Sequence, residues 1–283
     1  MKALATIVAM TFMVLNVHSC TINNAFGNKR VKGSKNYVTK EVRVEDFNRL
    51  KVAGSMDVDY TQKAGKPGVE IYGPDNIVPL VEVIVDNGVL NIRFKKGYSV
   101  SYDKLTIQVS SEKINAITLA GSGDISLKSS LKTDCLKLTL AGSGDIETGR
   151  IDCSGDVEID LAGSGNVDSR NIRCSGLKAS VAGSGEVEMK QVDAEGVAIS
   201  VAGSGEVSVS GRADKANYRV AGSGDLNADA LEVKHVSASV AGSGDVRCHA
   251  TETLNAAVSG SGDIGYKGNP QIENRPKKGL YRL

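Results

Sequence analysis

Apolar and polar residues alternate in short runs through most of the chain. One run places Val197, Ile199 and Val201 at every second position, and another places Val207 and Val209 in the same way. A period of two is typical of a strand with one buried face, whereas a helix repeats its apolar positions every three or four residues. No interval between the runs holds a helix-length segment, so the pattern excludes helical and leucine-rich repeats.

A glycine-rich phrase divides these runs at a nearly constant interval. Ala-Gly-Ser-Gly begins at residues 120, 141, 162, 182, 202, 221 and 241, and a Ser-Gly-Ser-Gly variant begins at residue 259. Intervals of 18 to 21 residues suit two or three short strands that rise about 3.3 Å per residue, with like residues stacked about 4.8 Å apart. The sequence therefore predicts an all-β fold, a right-handed parallel β-helix with coils of about 20 residues, roughly ten in number.

The glycines of the phrase have a predicted mechanical role. If the alternation continues past Val201, Gly203 and Gly205 point inward, and the alanine, serine and acid beside them point outward. A side chain at an inward position would crowd the bend, and glycine also adopts positive φ at little cost. We therefore expect the phrase to form a tight corner of the coil.

An acidic residue or asparagine follows each phrase, which predicts an acid column along one edge of the solenoid. The column comprises Asp124, Asp145, Asn166, Glu186, Glu206, Asp225, Asp245 and Asp263. Stacked carboxylates repel one another unless they are hydrated or neutralised, so diffuse cation binding is reasonable. A calcium ladder is the alternative, but its nine-residue period is missing. We predict a turn-forming, solubilising edge without an obligatory metal site.

The first residues resemble an export signal. Ala3–Val17 is an apolar run with the length of a signal-peptide core, too short to span a bilayer. The run leads to Ser19 and Cys20, which resemble the cleavage and lipidation site of a bacterial lipoprotein, although an ordinary signal peptide is the alternative. The prediction is a signal peptide over residues 1–19 and a lipid on Cys20 that anchors the protein to the outer membrane. Which face of the membrane it occupies stays open.

The rest of the chain divides by composition and regularity. Residues 20–40 are rich in Asn, Gly, Ser and Lys, which predicts a flexible tether behind the lipid. Residues 41–283 form one predicted β-helix domain. Its opening coils, residues 41–112, are irregular and cover the end of the core. Regular coils follow over residues 113–266, and residues 267–283 form a C-terminal cap.

The opening segment also carries a family resemblance. Phe47–Tyr60, Tyr72–Asn76 and Asn87–Ile92, followed by the repeated Ala-Gly-Ser-Gly-Asp, resemble the auto-transporter adhesin head GIN domain family. The likeness runs from about Val42 to the C-terminus. It implies an exported β-helical protein, in many cases a Bacteroides-type lipoprotein, with no established catalytic residues and an adhesin-like role.

Charge is distributed unevenly along the chain. The formal net charge is +1, but residues 1–51 hold nine Lys/Arg and three acids, and residues 267–283 hold five and one. The coils between them therefore carry 1 − 6 − 4 = −9. Basic ends on an acidic shaft keep the ends soluble or attract an anionic partner. The near-zero net charge argues against nucleic acid as a partner.

Candidate chemistry on the repeats is sparse. Cys153 and Cys174 occupy the same place in neighbouring coils, and we expect buried thiols there, with a disulfide as the alternative. The sequence contains no CxxC pair, so no zinc site is indicated. His235 and His249 are expected to face solvent, and no nucleophile motif is present. The predictions are no catalytic residue, no cofactor and no metal.

Three tyrosines offer a better candidate for binding. Tyr72, Tyr98 and Tyr102 lie in the irregular opening segment, and we predict either a binding loop around them or rings that merely cover the cap. The functional prediction is a non-enzymatic envelope lipoprotein that acts as a binding, adhesin-like or scaffold module. Its partner would be a periplasmic or extracellular protein or glycan. A carbohydrate-active β-helix enzyme, such as a polysaccharide lyase or hydrolase, is the alternative.

Overall fold

The computed structural model of the protein describes residues 28–283. The predicted signal peptide and Cys20 lie outside the described residues. The described chain consists of strands joined by turns, with a 3-10 turn at Val78–Leu80. No helix in this part of the chain is long and apolar enough to cross a membrane.

The first strands, through the irregular segment, are β1 Lys29–Lys32, β2 Tyr37–Val42, β3 Arg49–Gly54, β4 Asp57–Gln62, β5 Gly68–Pro74, β6 Val81–Asp86, β7 Val89–Phe94, β8 Tyr98–Ser101 and β9 Thr106–Ser111. The regular coils contain β10 Ala116–Gly121, β11 Ile125–Leu127, β12 Leu131–Thr133, β13 Leu136–Gly142, β14 Asp145–Thr148, β15 Ile151–Cys153, β16 Val157–Gly163, β17 Asn166–Arg170, β18 Ile172–Gly183, β19 Glu186–Gly203, β20 Glu206–Gly222, β21 Asp225–Gly242 and β22 Val246–Gly260. The last strands are β23 Ile264–Lys267, β24 Gln271–Asn274 and β25 Leu280–Arg282.

The regular coils stack in parallel and in register, which confirms the predicted parallel β-helix. Leu140 pairs with Leu161, and the next residues along both strands pair in turn. Three columns of strands result: β10, β13 and β16 belong to the first, β11, β14 and β17 to the second, and β12 and β15 to the third. The longer strands β18–β22 pass through successive columns without a break. The solenoid has about eight turns, fewer than the ten predicted.

The core is a thin stack of aliphatic side chains between the columns. Leu138, Ile159 and Ile199 are at most 2% exposed, as period-two alternation predicts. Tyr218 follows Ile199 in the same column and is fully buried. Its neighbour in the next coil is Ala238. The tyrosine hydroxyl has no hydrogen-bond partner, so it is a polar atom buried in an apolar stack.

The prediction for the corner glycines is confirmed in part. Gly205 is buried, as predicted, and Gly203 has a positive φ of +123°, as predicted, but Gly203 is exposed and not inward. A Cβ on Gly203 would lie 2.5 Å from the carbonyl oxygen of Gly183, and one on Gly205 would lie 2.6 Å from that of Gly185. The neighbouring coil's backbone, rather than a crowded core, therefore excludes a side chain at Gly203.

The N-terminal end is built by a chain that doubles back. Strand β3 lies between β7 and β10, and β4 lies between β9 and β11, so the coil formed later in the chain sits beneath the earlier one. Strands β5 and β6 pair antiparallel with β9 and β7, and β2 pairs antiparallel with β5. The predicted opening coils over residues 41–112 thus include antiparallel strands that close the end of the stack.

The predicted flexible tether is wrong for residues 29–40. Strand β1 pairs with β8, and β2 pairs with β5. Val31 and Val38 pack against the core, which composition alone does not reveal. The side chain of Asn76 donates to the carbonyl of Lys32 at 2.8 Å, and Asp75 accepts bonds from Ser34 at 2.6 Å and Asn36. These contacts fix the segment to the cap.

Candidate functional site

The acid column is a hydrogen-bonding device along the glycine corner. The backbone N–H of Asp145 donates to a carboxylate oxygen of Asp124 at 3.0 Å, and that of Asp263 donates to Asp245 at 2.9 Å. Asp57, Asp145 and Asp225 act in the same way toward the residue stacked above them. At these positions the carboxylate caps an N–H at the point where the chain turns.

Longer or amide side chains in the column do not make this bond. Above Asn166, Glu186 and Glu206, the next N–H donates to a glycine carbonyl at 3.1 to 3.3 Å, as in an ordinary parallel ladder. We call a step of the column a side-chain rung where an aspartate carboxylate accepts the next N–H. We call it a backbone rung where a glycine carbonyl accepts that N–H, as it does above Asn166, Glu186 and Glu206. The two kinds of rung satisfy the same N–H by different acceptors.

These contacts bear on the metal question. The aspartate oxygens of the column accept from backbone N–H groups along the stack, whereas calcium requires six to eight oxygen ligands. Within residues 28–283 there is no group of three or more His, Cys, Asp or Glu residues that could hold a metal ion. Desolvation by burial raises the pKa of Asp57, and the neighbouring Asp124 adds to the shift.

The three candidate tyrosines do not form one loop. The hydroxyl of Tyr102 donates to the carbonyl of Ser55 at 2.8 Å, and its ring lies 5.9 Å from that of Phe94. Because of the bond to Ser55, Tyr102 fixes the cap to the first glycine corner. Burial at this contact raises the pKa of Tyr102. Tyr98 lies in β8 and pairs with Lys29 of β1.

Tyr72 is the exposed member of the set. It lies on the outer face of β5, is 38% exposed and stacks on Tyr37 at a centroid distance of 5.5 Å. The ammonium of Lys104 lies 5.6 Å from the centre of the Tyr72 ring. A small aromatic surface of two rings and a cation results, separate from Tyr102.

A groove runs along a different corner from the glycine phrase, where the third column of strands turns into the first. This groove, of about 740 Å³, extends across successive coils, from Asp156 and Val157 to Glu273. With seven coils stacked about 4.8 Å apart, it is about 29 Å long. Val157, Leu177, Val197 and Val236 lie under its floor, each at most 3% exposed. We call this feature the coil groove.

Small side chains create the coil groove. Gly176 and Gly196 pair in register at the position just before the floor residues, and a Cβ on Gly196 would meet no atom within 4 Å. Farther along, Lys215, His235 and Thr253 occupy the same position and enclose it. Sequence reasoning missed the groove because it tracked inward positions. The signal was a run of glycine at an outward position outside the repeated phrase.

Glu158 and His235 at the rim have side-chain partners. Glu158 accepts bonds from Lys178 at 2.7 Å and Lys137 at 3.0 Å, and these cations lower its pKa. The Nδ1 of His235 lies 3.1 Å from the hydroxyl of Thr253. A carboxylate with a lowered pKa is a poor proton donor, which is the opposite of what a general acid needs.

Another groove, of about 570 Å³, lies along the third column. Arg212 forms two hydrogen bonds to Asp193, at 3.0 and 2.8 Å, and Arg173 approaches the same carboxylate at 3.7 Å. Arg212 lowers the pKa of Asp193. This arginine–carboxylate set is linear and internally paired, so it holds the coils together across their outer face.

The four cysteines within residues 28–283 are free thiols. Cys153, Cys174 and Cys248 are buried, and Cys135 is exposed. Burial raises the pKa of Cys174 and of Cys248 to about 12. Thiols of this kind stay protonated and unreactive at neutral pH, and the buried thiols predicted at Cys153 and Cys174 are confirmed.

Comparisons with known proteins agree with this architecture. The family model described as "Putative auto-transporter adhesin, head GIN domain" matches residues 46–167 and 156–270. A crystal structure of a "putative adhesin" from Parabacteroides merdae ATCC 43184 is 26% identical, with a TM-score of 0.67 over 90% of this chain and 99% of that one. No curated protein matches the chain.

Two further crystal structures are similar. A "putative lipid binding protein" from Parabacteroides distasonis ATCC 8503 is 28% identical, with a TM-score of 0.63, 90% of this chain covered and all of that chain. A "putative adhesin" from Bacteroides fragilis NCTC 9343 is 30% identical, with a TM-score of 0.53 over 89% of this chain and all of that one.

Proposed function

The chain belongs to the auto-transporter adhesin head GIN domain family, and from that premise we propose that it is a non-enzymatic binding protein of the cell envelope. The observation that carries the proposal is the coil groove. It runs across seven coils with polar and charged side chains along its rim, the shape that an extended chain requires. A glycan or an extended peptide is the ligand class that fits.

The electrostatics favour binding over catalysis. Glu158 and Asp193 are held by Lys or Arg partners, which lower their pKa values. A glycoside hydrolase or lyase needs a free acid and base facing one point of a sugar chain. The names of the similar structures, adhesin and lipid binding protein, belong to the same class of binding function.

The proposal includes attachment to the outer membrane through a lipid on Cys20. The basis is the sequence of residues 1–20, which lie outside the described part of the chain. The wild-type protein should partition with membranes and detergent, and Cys20→Ala should release it or block its maturation. A wild-type protein that is recovered wholly soluble, with its N-terminus upstream of Cys20, would refute the anchor.

A substitution at Gly196 tests the groove. Phenylalanine there would fill the space above the floor without a backbone clash, because no atom lies near its Cβ and its φ is not positive. Gly149 has the same open surroundings but lies outside the groove, so Gly149→Phe is the matched control. Both variants should retain the wild-type unfolding midpoint.

The experiment measures binding to a glycan array and an array of extended peptides. We expect wild type and Gly149→Phe to bind one class of chain and Gly196→Phe to lose at least tenfold in affinity. Equal binding by all three proteins would place the site elsewhere. Cleavage of an acidic polysaccharide by wild type, with loss in Gly196→Phe, would favour the enzyme alternative.

A further inference from the structure

Five cations meet at the N-terminal end of the solenoid. Lys29, Arg30 and Lys32 lie on β1, and Lys95 and Lys96 lie in the turn that leads into β8. The backbone of Lys29 donates to the carbonyl of Gly97 at 2.8 Å, which brings the two groups together. All five side chains are exposed. We call this set the basic cap.

The basic cap has no matching acids. Strands β1 and β8 contain no Asp or Glu, and the nearby Glu82 is already paired with Arg93 at 2.7 Å. Within residues 28–283, none of the five cations forms an ion pair with a carboxylate. Asp103, two residues after β8, is the closest acid in sequence. Asp75 lies beside the residues that follow β1, where its carboxylate accepts bonds from Ser34 and Asn36 and the exposed Lys35 offsets its charge. The five cations of the cap still leave a net positive surface.

The acid column leads away from this surface. Tyr102 bonds to Ser55, which joins the segment after β8 to the first glycine corner, and Asp57 beside that corner is the first rung of the column. Its later members, from Asp124 to Asp263, continue along the same edge over about 34 Å. This edge of the molecule is positive at one end and negative along the rest of its length.

We propose that the basic cap docks on the anionic headgroups of a lipid bilayer and holds the solenoid upright, with the acid column directed away from the membrane. The proposal rests on the envelope location under the proposed function. Eight residues lie between Cys20 and Lys29, so the link of nine Cα–Cα steps spans at most about 32 Å when extended. A lipid on Cys20 would thus keep the basic cap within reach of the headgroups.

Electrostatics supports this orientation. Each Lys or Arg near an anionic leaflet adds to the attraction, and the effect decays within a Debye length of about 8 Å at physiological salt. The acid column would be repelled by the same surface. The C-terminal end of the described chain also carries exposed cations, Arg275, Lys277, Lys278 and Arg282, and only Lys267 there is paired, with Asp229 at 2.7 Å. The closeness of Lys29 to Cys20 along the chain therefore selects the basic cap over that end.

The test isolates the cap from the lipid. The full chain with Cys20→Ala, which has no thiol to be lipidated at that position, is sedimented with vesicles of phosphatidylcholine alone or mixed with phosphatidylglycerol. We compare it with Arg30→Glu/Lys32→Glu/Lys96→Glu in the same background. The control, Lys66→Glu/Lys277→Glu/Lys278→Glu, changes the net charge equally, by 3 × 2 = 6, at exposed positions away from the cap.

We expect sedimentation with mixed vesicles only, weakened by salt, and an affinity lower by about 100-fold or more in the cap variant. The control should lose less than about threefold. Equal losses, no binding to mixed vesicles, or binding to heparin without binding to vesicles would each overturn the proposal. The Cys20 lipid and the ligand groove are tested by separate measurements, so a negative vesicle result would leave both of those proposals unchanged.

Discussion

The regular stack and the N-terminal cap solve the same problem by different means. In the stack each coil repeats its neighbour's hydrogen bonds, and the glycine corners allow adjacent backbones to approach closely. In the cap the preceding coil is incomplete, because no strand of residues 28–283 lies beneath β12 in the third column, so a side chain replaces the missing backbone partners. Gln62 shows this best: its amide accepts from the N–H of Lys132 at 2.8 Å and donates to the Lys132 carbonyl at 2.9 Å. One side chain thus substitutes for a missing strand beneath β12.

This difference predicts where substitutions are most damaging. In the stack, the corner glycines leave no space for a Cβ atom. In the cap, stability depends on individual polar contacts. Changes in the stack should therefore cost the most stability, and changes in the cap should loosen one end.

The largest effect is expected at a corner glycine. Gly142 has φ of +148°, and its Cβ would overlap the carbonyl oxygen of Gly121. Gly142→Ala should cost about 3 kcal/mol or more of unfolding free energy, measured by urea denaturation. Gly196→Ala is the control and should change stability by less than about 1 kcal/mol. Similar midpoints for the two variants would show that the corner can relax.

The next effect tests the cap. Gln62→Ala removes three side-chain hydrogen bonds, to Lys132 and to the Glu112 carbonyl. It should cost about 2 kcal/mol, because three hydrogen bonds to backbone groups are lost at roughly 0.5 to 1 kcal/mol each. Gln108→Ala, on the exposed face of β9, should be nearly neutral in the same urea titration. An equally small effect at Gln62 would mean that water replaces the amide.

A substitution in the stack core should act in the opposite direction. The Tyr218 hydroxyl is buried without a partner, and desolvation raises the pKa of Tyr218. Tyr218→Phe removes that unsatisfied atom and should stabilise the protein by about 1 kcal/mol in urea or thermal unfolding. A loss of stability of that size would reveal a hydrogen bond, through water, that the hydroxyl makes.

The smallest effect separates the two kinds of rung in the acid column. Asp245 caps the N–H of Asp263, whereas Glu206 caps none. Asp245→Ala should cost about 1 kcal/mol, and Glu206→Ala should be neutral or slightly stabilising because it removes a like charge. Added calcium should shift the melting temperature of wild type little. A large calcium-specific rise that Asp245→Ala abolishes would contradict the capping role.

The stack could be predicted from the sequence because its determinants are local. The alternation around Val201 and the spacing of the glycine phrase suffice to indicate strands, coils and register. The path of the chain through the cap could not be predicted in this way. It depends on contacts between distant residues, such as Asn76 with Lys32, which lie 44 positions apart. Composition suggested a tether there and hid the anchoring contribution of Val31. The coil groove escaped detection because it depends on the absence of side chains at Gly176 and Gly196.

The central claim of this account is a division of labour, in which the cap contacts the membrane and the stack presents the ligand surface. Amide hydrogen exchange of the Cys20→Ala chain, with and without vesicles containing phosphatidylglycerol, tests it most directly. We predict slower exchange over residues 29–33 and 97–101 and unchanged exchange over residues 120–260. Slower exchange along the stack, with an unchanged cap, would contradict the claim.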